Sequence, residues 1–503
     1  MAAGNSRALV AKAAAPNILD RAIGYFSPSA GFKRARSRLA MSLTRSYEGA
    51  KTGRRTGGWT TGGTSANAEI GPALSVLRNR SRSLARDNPY AAKAMSTWVA
   101  NIIGTGITAK LSSGQDLWDQ WIKECDADGQ FDFYGLLALL ERARFESGEV
   151  LIRLRWRRPE DGLTVPLQLQ VLEPDYLDAI KNESLPNGGW ILNGVEFDAI
   201  GQRVAYWLFS AHPGDSAPIL KSLFSKRVPA EDVIHYYKKT RPGQVRGVPD
   251  LHPVLLKMRD LDDYQEAELV RKGIEACFAA FVTSDDESRT LGDAATEDST
   301  QQHRIENLGA GMIHYLKSGE DVQFGAPATM NGYKEFIDDH LHAVAAGAGV
   351  TFEQLSGNLS RVNYSSIRSG TVEFRRAAEQ HQWLTLIPGV CEPIARAFFV
   401  AAKLAGKLGS QKTTVEWTPP KWDWVDPVKD VAGELLEVAA GLKSWSAAVR
   451  RRGEDPAKVL AEIAEDQQKF KDAKVSIQID KLALGAAAGA NANQGAENQG
   501  ATP

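Results

Sequence analysis

The sequence predicts an α+β fold in which a β-rich module lies between helical segments. Two patterns in the distribution of apolar residues carry this prediction. Between residues 148 and 237, apolar and polar residues alternate with a period of two, as on a half-buried strand. Before and after that module, apolar residues recur every three or four positions, as on one face of a helix. Since no helical pattern separates the strand-like runs, we expect antiparallel strands and exclude a β–α–β array.

The beginning of the chain is predicted to be a basic, largely extended arm over residues 1–68. Residues 1–60 hold 11 Lys and Arg against two acidic residues, and the segment 57–64 is rich in glycine. One short helix is expected near 32–46. The whole chain of 503 residues has 60 basic and 61 acidic residues, for a net charge of −1, so it is not a polycation that seeks nucleic acid.

Two helices are predicted after the arm, over about 73–86 and from Pro89 to Gly104. Four arginines lie off the apolar stripe of the first helix, and they are candidate basic contacts because a guanidinium matches the geometry of a phosphate. These arginines are Arg78, Arg80, Arg82 and Arg86. A solvated face or intersubunit salt bridges are the alternative for the same side chains.

The β-rich module contains a predicted hairpin. Its two strands cover 191–197 and 204–209, and the turn between them falls at 198–201. A long amphipathic helix is predicted afterwards over 252–281, well above the usual helix length. Its apolar stripe, with charged residues on the other face, predicts sideways packing against partners.

A polar insert over 284–325 follows, with short strand-like pieces at 312–316 and 321–324. A second helix is predicted to end at 347–349, where two glycines occur. The stretch 355–364 reads as a short polar loop. We expect the next helix to start at about Ser365, where serine hydroxyls cap backbone N–H groups, and to be broken at Pro388 and Pro393 before it continues to Leu404.

The end of the chain is predicted to hold a short strand, a helical module and a disordered tail. The strand falls at 413–417 and the helical module at 427–472. The tail is rich in Gly, Ala, Asn and Gln from Gly485 onward, a composition that cannot bury a core.

Motifs for common enzyme chemistry are missing from the sequence. Gly104 and Gly106 follow a helix and lack a third glycine, which indicates a helix end rather than a dinucleotide loop. There is no GxxxxGK[ST] loop, no HExxH and no GxSxG, and the eight histidines are dispersed. One carboxylate cluster could suit magnesium, but its members spread around a helix, which favours a charged face. They are Asp260, Asp262, Asp263, Glu266 and Glu268.

We expect the protein to be cytoplasmic or to be assembled in the cytoplasm. The three cysteines, Cys125, Cys277 and Cys391, lie far apart, which indicates reduced thiols rather than disulfides or a zinc site. We find no apolar run of the ~20 residues needed to cross a bilayer and no apolar leader, so neither a membrane partner nor secretion is expected. No cofactor and no metal are predicted.

Four groups of segments together resemble the lambda-type family of phage portal proteins, and they occur in that family's order over about residues 70–470. The segments are 78–94 with 101–107; 146–153 with 169–178 and 193–198; 232–237 with 241–249; and 355–370. The resemblance implies a portal fold with a β-rich wing, a long-helix stem, a clip insert and a helical C-terminal crown. It also implies a ring, dodecameric in the assembled head, at one capsid vertex of the virion, assembled in the host cytoplasm.

The resemblance also implies the domain boundaries in this sequence. They are an arm at 1–68, a wing at 69–250, a stem helix at 251–283, a clip at 284–328, a second stem helix at 329–349, a tunnel loop region at 350–364, a wing helix and strand at 365–426, a crown at 427–480 and a disordered tail at 481–503.

The implied function is conduction of double-stranded DNA during packaging and ejection, without covalent chemistry. The residues expected to face DNA lie in the tunnel loop and are Asn358, Ser360, Arg361, Asn363 and Tyr364. The implied partners are the terminase motor, the major capsid and scaffolding proteins, and head-completion and tail adaptor proteins. An acidic run, Asp285, Asp286 and Glu287, is the candidate docking edge for terminase or an adaptor, the alternative being a disordered loop tip.

Two other functions stay open on the sequence. One is a DNA-binding, capsid-associated protein without a channel, which the basic arm supports best. The other is a metal-dependent nuclease that uses the carboxylates at 260–268. Electron micrographs of the purified protein would separate the three hypotheses as rings with a central hole, shells, or compact monomers.

Overall fold

The computed structural model describes residue 25 and residues 62–215, 224–276, 280–284, 320–324, 332–360, 363–409, 411–422 and 427–474. The predicted helix near 32–46, the strand-like piece at 312–316 and the tail beyond 480 lie outside these residues. The chain divides into two compact units, Met1–Ser65 and Ala66–Pro503. The second unit holds the elements described below, and it mixes helices and sheets as the α+β prediction requires.

Two helices open this unit, and both were predicted. They are α1 (Ala66–Asp87) and α2 (Pro89–Ile102). Between them, the Asn88 side chain caps α2, since its Oδ1 accepts a hydrogen bond of 2.9 Å from the N–H of Ala91. Its Nδ2 donates to both oxygens of Asp262 at 2.8 and 2.9 Å. Thus one residue ends one helix, begins the next and joins both to a distant helix.

A strand and two further helices follow, which periodicity did not predict. They are β1 (Thr108–Leu111), α3 (Gln115–Trp121) and α4 (Phe133–Ser147). Aromatic residues from α3 and α4 form the centre of the main core. The Trp118 ring lies 5.2 Å from that of Trp121 and 5.5 Å from that of Phe133.

The β-rich module consists of two antiparallel sheets, as predicted. The first has the order β3 (Leu167–Leu172), β2 (Glu149–Trp156), β9 (Val233–Tyr237). The second runs in sequence order through β4 (Glu183–Ser184), β5 (Trp190–Leu192), β6 (Val195–Phe197), β7 (Arg203–Leu208) and β8 (Lys226–Pro229). The strand expected over 191–197 is two strands, because Asn193 and Gly194 both have positive φ, 51° and 82°, and form a tight turn. The predicted turn at 198–201 is present between β6 and β7.

The long helix of the sequence prediction is shorter than expected. It is α5 (Leu255–Ala276), and the prediction that it continues to residue 281 is wrong. Residues beyond it form β10 (Ala280–Ser284), which pairs antiparallel with β11 (Glu320–Phe324). The second helix of the pair is α6 (Tyr333–Ala348), which ends at Gly349 with φ of 71°, as predicted. The two helices meet where the rings of Tyr264 and Phe336 lie 4.5 Å apart.

A short helix, α7 (Phe352–Ser356), precedes α8 (Tyr364–His381). The predicted breaks at Pro388 and Pro393 do not occur. The chain instead continues as a π-helical segment, Gln382–Cys391, into α9 (Glu392–Leu404). Wider π-helical turns accommodate Pro388, which has no N–H to donate, and Pro393 lies in the first turn of α9, where a missing N–H costs little.

The helical stretch Ser366–Leu404 has the length and apolar composition of a membrane span, but half of its most apolar window is buried inside the protein. Core packing therefore explains its composition. The sequence did not suggest such a run because Glu392, Arg396 and Lys403 interrupt it.

The last described elements confirm the predicted strand and helical module. The strand β12 (Val415–Thr418) pairs antiparallel with β1. The helices are α10 (Pro427–Ala439), α11 (Trp445–Arg451) and α12 (Pro456–Asp472). Among the described residues of this module, Val449 is the one buried hydrophobic side chain. Large apolar side chains such as Leu436 and Leu442 are 65% and 82% exposed.

Candidate functional site

The predicted DNA-facing loop lies between α7 and α8 and is held at both ends by helix caps. On its first side, α7 ends at Gly357, whose N–H donates to the carbonyl of Glu353 at 2.8 Å, and Leu355 anchors that helix in the core at 2% exposure. On its second side, the Asn363 side chain caps α8, with its Oδ1 accepting from the N–H of Ser366 at 2.8 Å. The cap is thus Asn363, and not the serine hydroxyls expected from the sequence.

Within the loop, the Asn358 side chain also serves the backbone. Its Oδ1 accepts from the N–H of Ser360 at 3.0 Å and from the Ser360 hydroxyl at 2.7 Å. The neighbouring Leu359 is 62% exposed. Arg361 and the side chain of Tyr364 lie outside the described residues. The described residues of the loop therefore present short polar groups and one apolar side chain to solvent.

A single tryptophan fixes the position of α8, the helix that carries this loop. The indole N–H of Trp98 on α2 donates to the carbonyl of Ala348 at the end of α6, at 2.9 Å. The same ring lies 5.3 Å from that of Phe374 on α8. Three helices thus converge on Trp98, close to both ends of the segment that contains the loop.

The arginines of α1 do not form one phosphate-binding face. Arg78 is buried and pairs with Glu149 at 3.2 Å and Asp175 at 3.1 Å. Arg82 pairs with Asp175 at 2.7 Å and with Glu173 at 3.0 Å. Carboxylates of their own subunit thus hold these two side chains, and phosphate contact there does not fit the structure.

Arg80 and Arg86 are exposed, and contact with phosphate remains a prediction for both. The Arg86 guanidinium lies 3.1 Å from a carboxylate oxygen of the adjacent Asp87.

Arg78 belongs to a buried ionic junction centred on Glu149, the first residue of β2. The Glu149 carboxylate accepts from the Arg246 guanidinium at 2.6 and 2.9 Å, from His235 Nε2 at 2.9 Å and from the N–H of Gly247 at 2.8 Å. Burial alone would raise the pKa of this carboxyl, but Arg246 and the hydrogen bond from His235 outweigh it and hold the pKa well below its usual range. The junction joins α1, β2, β9 and the loop after β9.

Two glycines make this junction possible. Gly148 has a φ of 87°, and a Cβ on Gly247 would lie 2.1 Å from the carbonyl oxygen of Gly148. The two backbone segments can therefore approach only with glycine at these positions. Glu149 and Arg246 lie inside the segments 146–153 and 241–249 that carry the family resemblance, but the local pattern did not identify them as partners.

A second buried network ties the far end of α8 to α4 and β9. The Tyr236 hydroxyl donates to Glu141 at 2.6 Å and lies 2.9 Å from His381 Nε2. Arg144 donates to Glu141 at 2.7 Å and to Asp250 at 2.9 Å. Burial would raise the pKa of Glu141, but Arg144 and His381 hold it well below its usual range. Both ends of α8 are thus fixed, one by Asn363 and the other by His381.

One group of side chains among the described residues has the spacing of metal ligands. Oxygen and nitrogen atoms of Glu173, Asp175 and His212 all lie within 4.8 Å of one another. Arg82 pairs with both carboxylates and Arg78 pairs with Asp175, so the group is an ion-pair cluster. In the described part of the chain, the carboxylates at 260–268 form no such group.

The family is decided by comparison with known sequences. The model described as "Phage portal protein, lambda family" matches residues 52–382, more than half of the 503 residues. The chain belongs to the lambda family of phage portal proteins. This membership confirms the resemblance, and because the family is structural and not enzymatic, it excludes the nuclease hypothesis. The protein is a component of a phage particle.

Curated relatives agree with this assignment over most of their lengths. A probable portal protein of Halomonas phage phiHAP-1 is 27% identical, covering 86% of this chain and 88% of the relative. Portal protein B of Escherichia phage lambda is 22% identical, covering 80% and 85%.

Solved structures give weaker likenesses. A chain in the neck of an empty gene transfer agent particle has a TM-score of 0.45 at 17% identity, over 76% of this chain and 94% of that one. An HK97 family phage portal protein from Corynebacterium diphtheriae has a TM-score of 0.27 at 13% identity, over 71% and 96%. The family assignment rests on the sequence matches.

Proposed function

We propose that this portal protein forms a closed ring, dodecameric in the assembled head, whose bore conducts double-stranded DNA into and out of the capsid. The observation that carries the proposal is the polar loop between α7 and α8, whose described residues Leu359, Ser360 and Asn363 are exposed and whose flanking helices are capped at Gly357 and Asn363. A ring repeats this loop around its axis, so DNA would meet a collar of short polar groups and one arginine per subunit. Few charges per subunit favour sliding, since each additional fixed cation would add salt-dependent affinity for phosphate.

Substitutions in the loop test the conduit directly. Because Asn363 caps α8, its replacement would mix a folding defect with any loss of DNA contact. We therefore expect the double substitution Ser360→Ala with Arg361→Ala to reduce the DNA retained per particle at least several-fold, while rings form normally. Packaged DNA is measured by nuclease protection, and rings are counted by negative stain. The control, Arg361→Lys, keeps the charge and should package normally; full DNA content in the double variant would refute the assignment of the loop.

The ring itself needs a face that a neighbouring subunit can cover. In the isolated subunit, Leu256, Leu269 and Val270 on α5 are 69%, 74% and 56% exposed. An apolar side chain gains about 1.5–3 kcal/mol when it is fully buried, so a head-to-tail interface along α5 would be stabilised by these residues. This supports α5 and α6 as the stem pair of the proposed ring.

Charged substitutions on α5 test that interface. We expect Leu269→Lys with Val270→Lys to raise the protein concentration needed for ring formation at least tenfold, because two exposed lysines would have to be desolvated between subunits. The melting temperature of the dilute subunit should stay unchanged, since both positions are exposed there. Light scattering after size exclusion measures the assembly. Glu266→Lys, on the same helix, is the control, and equal behaviour of the two variants would contradict a stem interface here.

The remaining assignments follow from the family and are part of the same proposal. The wing would hold the two sheets, the clip would be the insert 284–328, and the crown would be α10 to α12. Terminase would dock at the clip during packaging, with head-completion and tail adaptor proteins docking later, and the major capsid and scaffolding proteins would surround the ring. Assembly in the host cytoplasm fits the reduced Cys125 and Cys391, both buried and free. The acidic run Asp285, Asp286 and Glu287 lies outside the described residues and remains a predicted docking edge.

A further inference from the structure

A row of arginines runs along one face of the sheet β3-β2-β9. Side chains two positions apart on a strand point to the same side, ~6.7 Å from one another, so Arg153, Arg155 and Arg157 share a face. Arg158 follows directly. Arg153 and Arg155 are half-buried, while Arg157 and Arg158 are exposed. None of the four forms an ion pair with a carboxylate in the described part of the chain.

The structure holds two of these arginines in place through glutamines. The Nε of Arg157 donates to Gln168 Oε1 at 2.9 Å, and the Nε of Arg155 donates to Gln170 Oε1 at 2.8 Å. Gln168 is itself oriented, since its Nε2 donates to the carbonyls of Glu124 and Asp126 at 3.1 and 3.0 Å. With each Nε used internally, the terminal guanidinium nitrogens remain for an external ligand, in the fork geometry that suits a carboxylate or a phosphate.

The row also carries uncompensated charge. Burial, together with the neighbouring Arg153 and Arg157, lowers the pKa of Arg155. An anion bound from outside would relieve this repulsion. In the sequence, Arg153 and Arg155 alternate with apolar residues along a predicted strand. Periodicity alone does not show whether carboxylates from elsewhere in the chain neutralise them.

The composition of the face favours a nucleic acid over a protein. Protein interfaces centre on apolar residues and leave charge at the rim, whereas DNA interfaces are polar and positively charged throughout. The residues opposite the row on β3 are Gln168 and Gln170, and the apolar residue beside Arg153 on β9, Val233, is 5% exposed. Among the residues that the structure describes, these neighbours place no exposed apolar side chain between the arginines on this face.

The row lies far from the loop at 357–363. The end of the long helical stretch is next to it, because Lys407 Nζ donates to the carbonyl of Thr164 at 2.7 Å and the N–H of Arg157 donates to Pro166 at 2.9 Å. The loop precedes the other end of that stretch, which has 39 residues and hence a length on the order of 50 Å. The two surfaces cannot contact the same few phosphates.

We propose that Arg153, Arg155, Arg157 and Arg158 form a second, sequence-independent binding face for the phosphate backbone of DNA, separate from the conduit. This second binding face goes beyond the proposed function. It rests on that function in one respect, namely that DNA is the polyanion that such a ring meets. Binding here is stronger and more salt-dependent than at the loop, so this face would hold a DNA segment rather than let it slide.

The salt dependence of DNA binding tests this face. The probe is a 30-base-pair duplex of mixed sequence, titrated against the full-length protein between about 50 and 200 mM salt, where each lost phosphate contact lowers the slope of log K against log salt by about 0.9. We expect Arg153→Gln with Arg155→Gln and Arg157→Gln to lower the slope by about 2–3 and the affinity at low salt at least tenfold. The control, Lys226→Gln with Lys238→Gln and Lys239→Gln, removes the same charge from exposed positions at the start of β8 and directly after β9, and should change the slope far less.

Three results would overturn the proposal. If the arginine variant has the same slope as the lysine control, this row of arginines does not contact phosphate. An unchanged slope with loss of rings in negative stain would mean that the arginines bind carboxylates of a second copy. If the triple variant fails to fold, Arg157→Gln at its exposed position replaces it, and a slope that does not fall by about 0.9 rejects the face. Failure of the wild type to form rings would instead refute the proposed conduit, and DNA binding by the subunit would still report on the row.

Discussion

Replacing Glu149 by Gln is expected to lower the free energy of unfolding by about 3–5 kcal/mol, the cost of breaking a buried ion pair by removing one partner. Its carboxylate is fully buried and accepts from Arg246, Arg78, His235 and the N–H of Gly247. A glutamine would supply one oxygen and two N–H groups, which would face the buried guanidinium of Arg246 without charge compensation. The junction joins four elements, so the loss should appear as global instability.

Chemical denaturation of the full chain, followed by circular dichroism, measures this effect. Glu173→Gln is the matched control, since Glu173 is also paired with an arginine but its side chain is 57% exposed. Exposed pairs contribute at most about 1 kcal/mol, so the control should unfold close to the wild type. A Glu149 variant as stable as the Glu173 variant would show that the junction does not stabilise the fold.

Local periodicity predicted the elements whose own residues carry a regular apolar pattern. It found α1 and α2, the alternating strands of the module and the hairpin turn between β6 and β7. It failed after Ala276, where Phe278 and Phe281 continue the helical stripe of α5 but the chain forms β10 instead. The partner of β10 is β11, about forty residues further along, so the deciding hydrogen bonds are long-range and leave no local signal.

The candidate site was predictable in position but not in the roles of its side chains. The polar pattern predicted a loop at 355–364, and the structure has a loop there between α7, a helix that the sequence did not predict, and α8. Whether Asn363 faces a ligand or caps a helix depends on backbone geometry, and the structure shows the cap. The ionic junction could not be predicted from the sequence, since Arg78 and Arg246 lie 71 and 97 residues away from Glu149 along the chain. The one indication of the junction in the sequence was a charged residue, Glu149, at the start of an apolar strand.

Acid is expected to lower the stability of the protein through His235 of the same junction. The imidazole is 1% exposed, and its Nε2 donates to the Glu149 carboxylate while Nδ1 lies 3.4 Å from the Arg203 guanidinium. Burial lowers the pKa of His235 from 6.5 to about 4, against the opposing effect of Glu149, with Arg203 and Arg246 adding to the decrease. The folded protein therefore keeps this histidine neutral where the unfolded chain has already bound a proton.

Because the unfolded state binds more protons between these two values, stability rises with pH across that window and is lost as the pH falls from 6.5 towards 4. The loss is on the order of 3 kcal/mol, and the depressed pKa of Glu149 extends the decline to more acidic pH.

Urea denaturation at several pH values between about 7 and 4 measures this slope. His235→Gln keeps a donor to Glu149 but cannot titrate, so its stability should start lower and fall less steeply with acid. His212→Gln, which removes a histidine whose side chain is 25% exposed, is the control. Equal slopes for the wild type and the His235 variant would assign the acid sensitivity elsewhere. The predicted slope would make the portal subunit more stable near neutral pH than in acid, because a proton on His235 would add positive charge to a buried junction that already holds the guanidinium groups of Arg78 and Arg246.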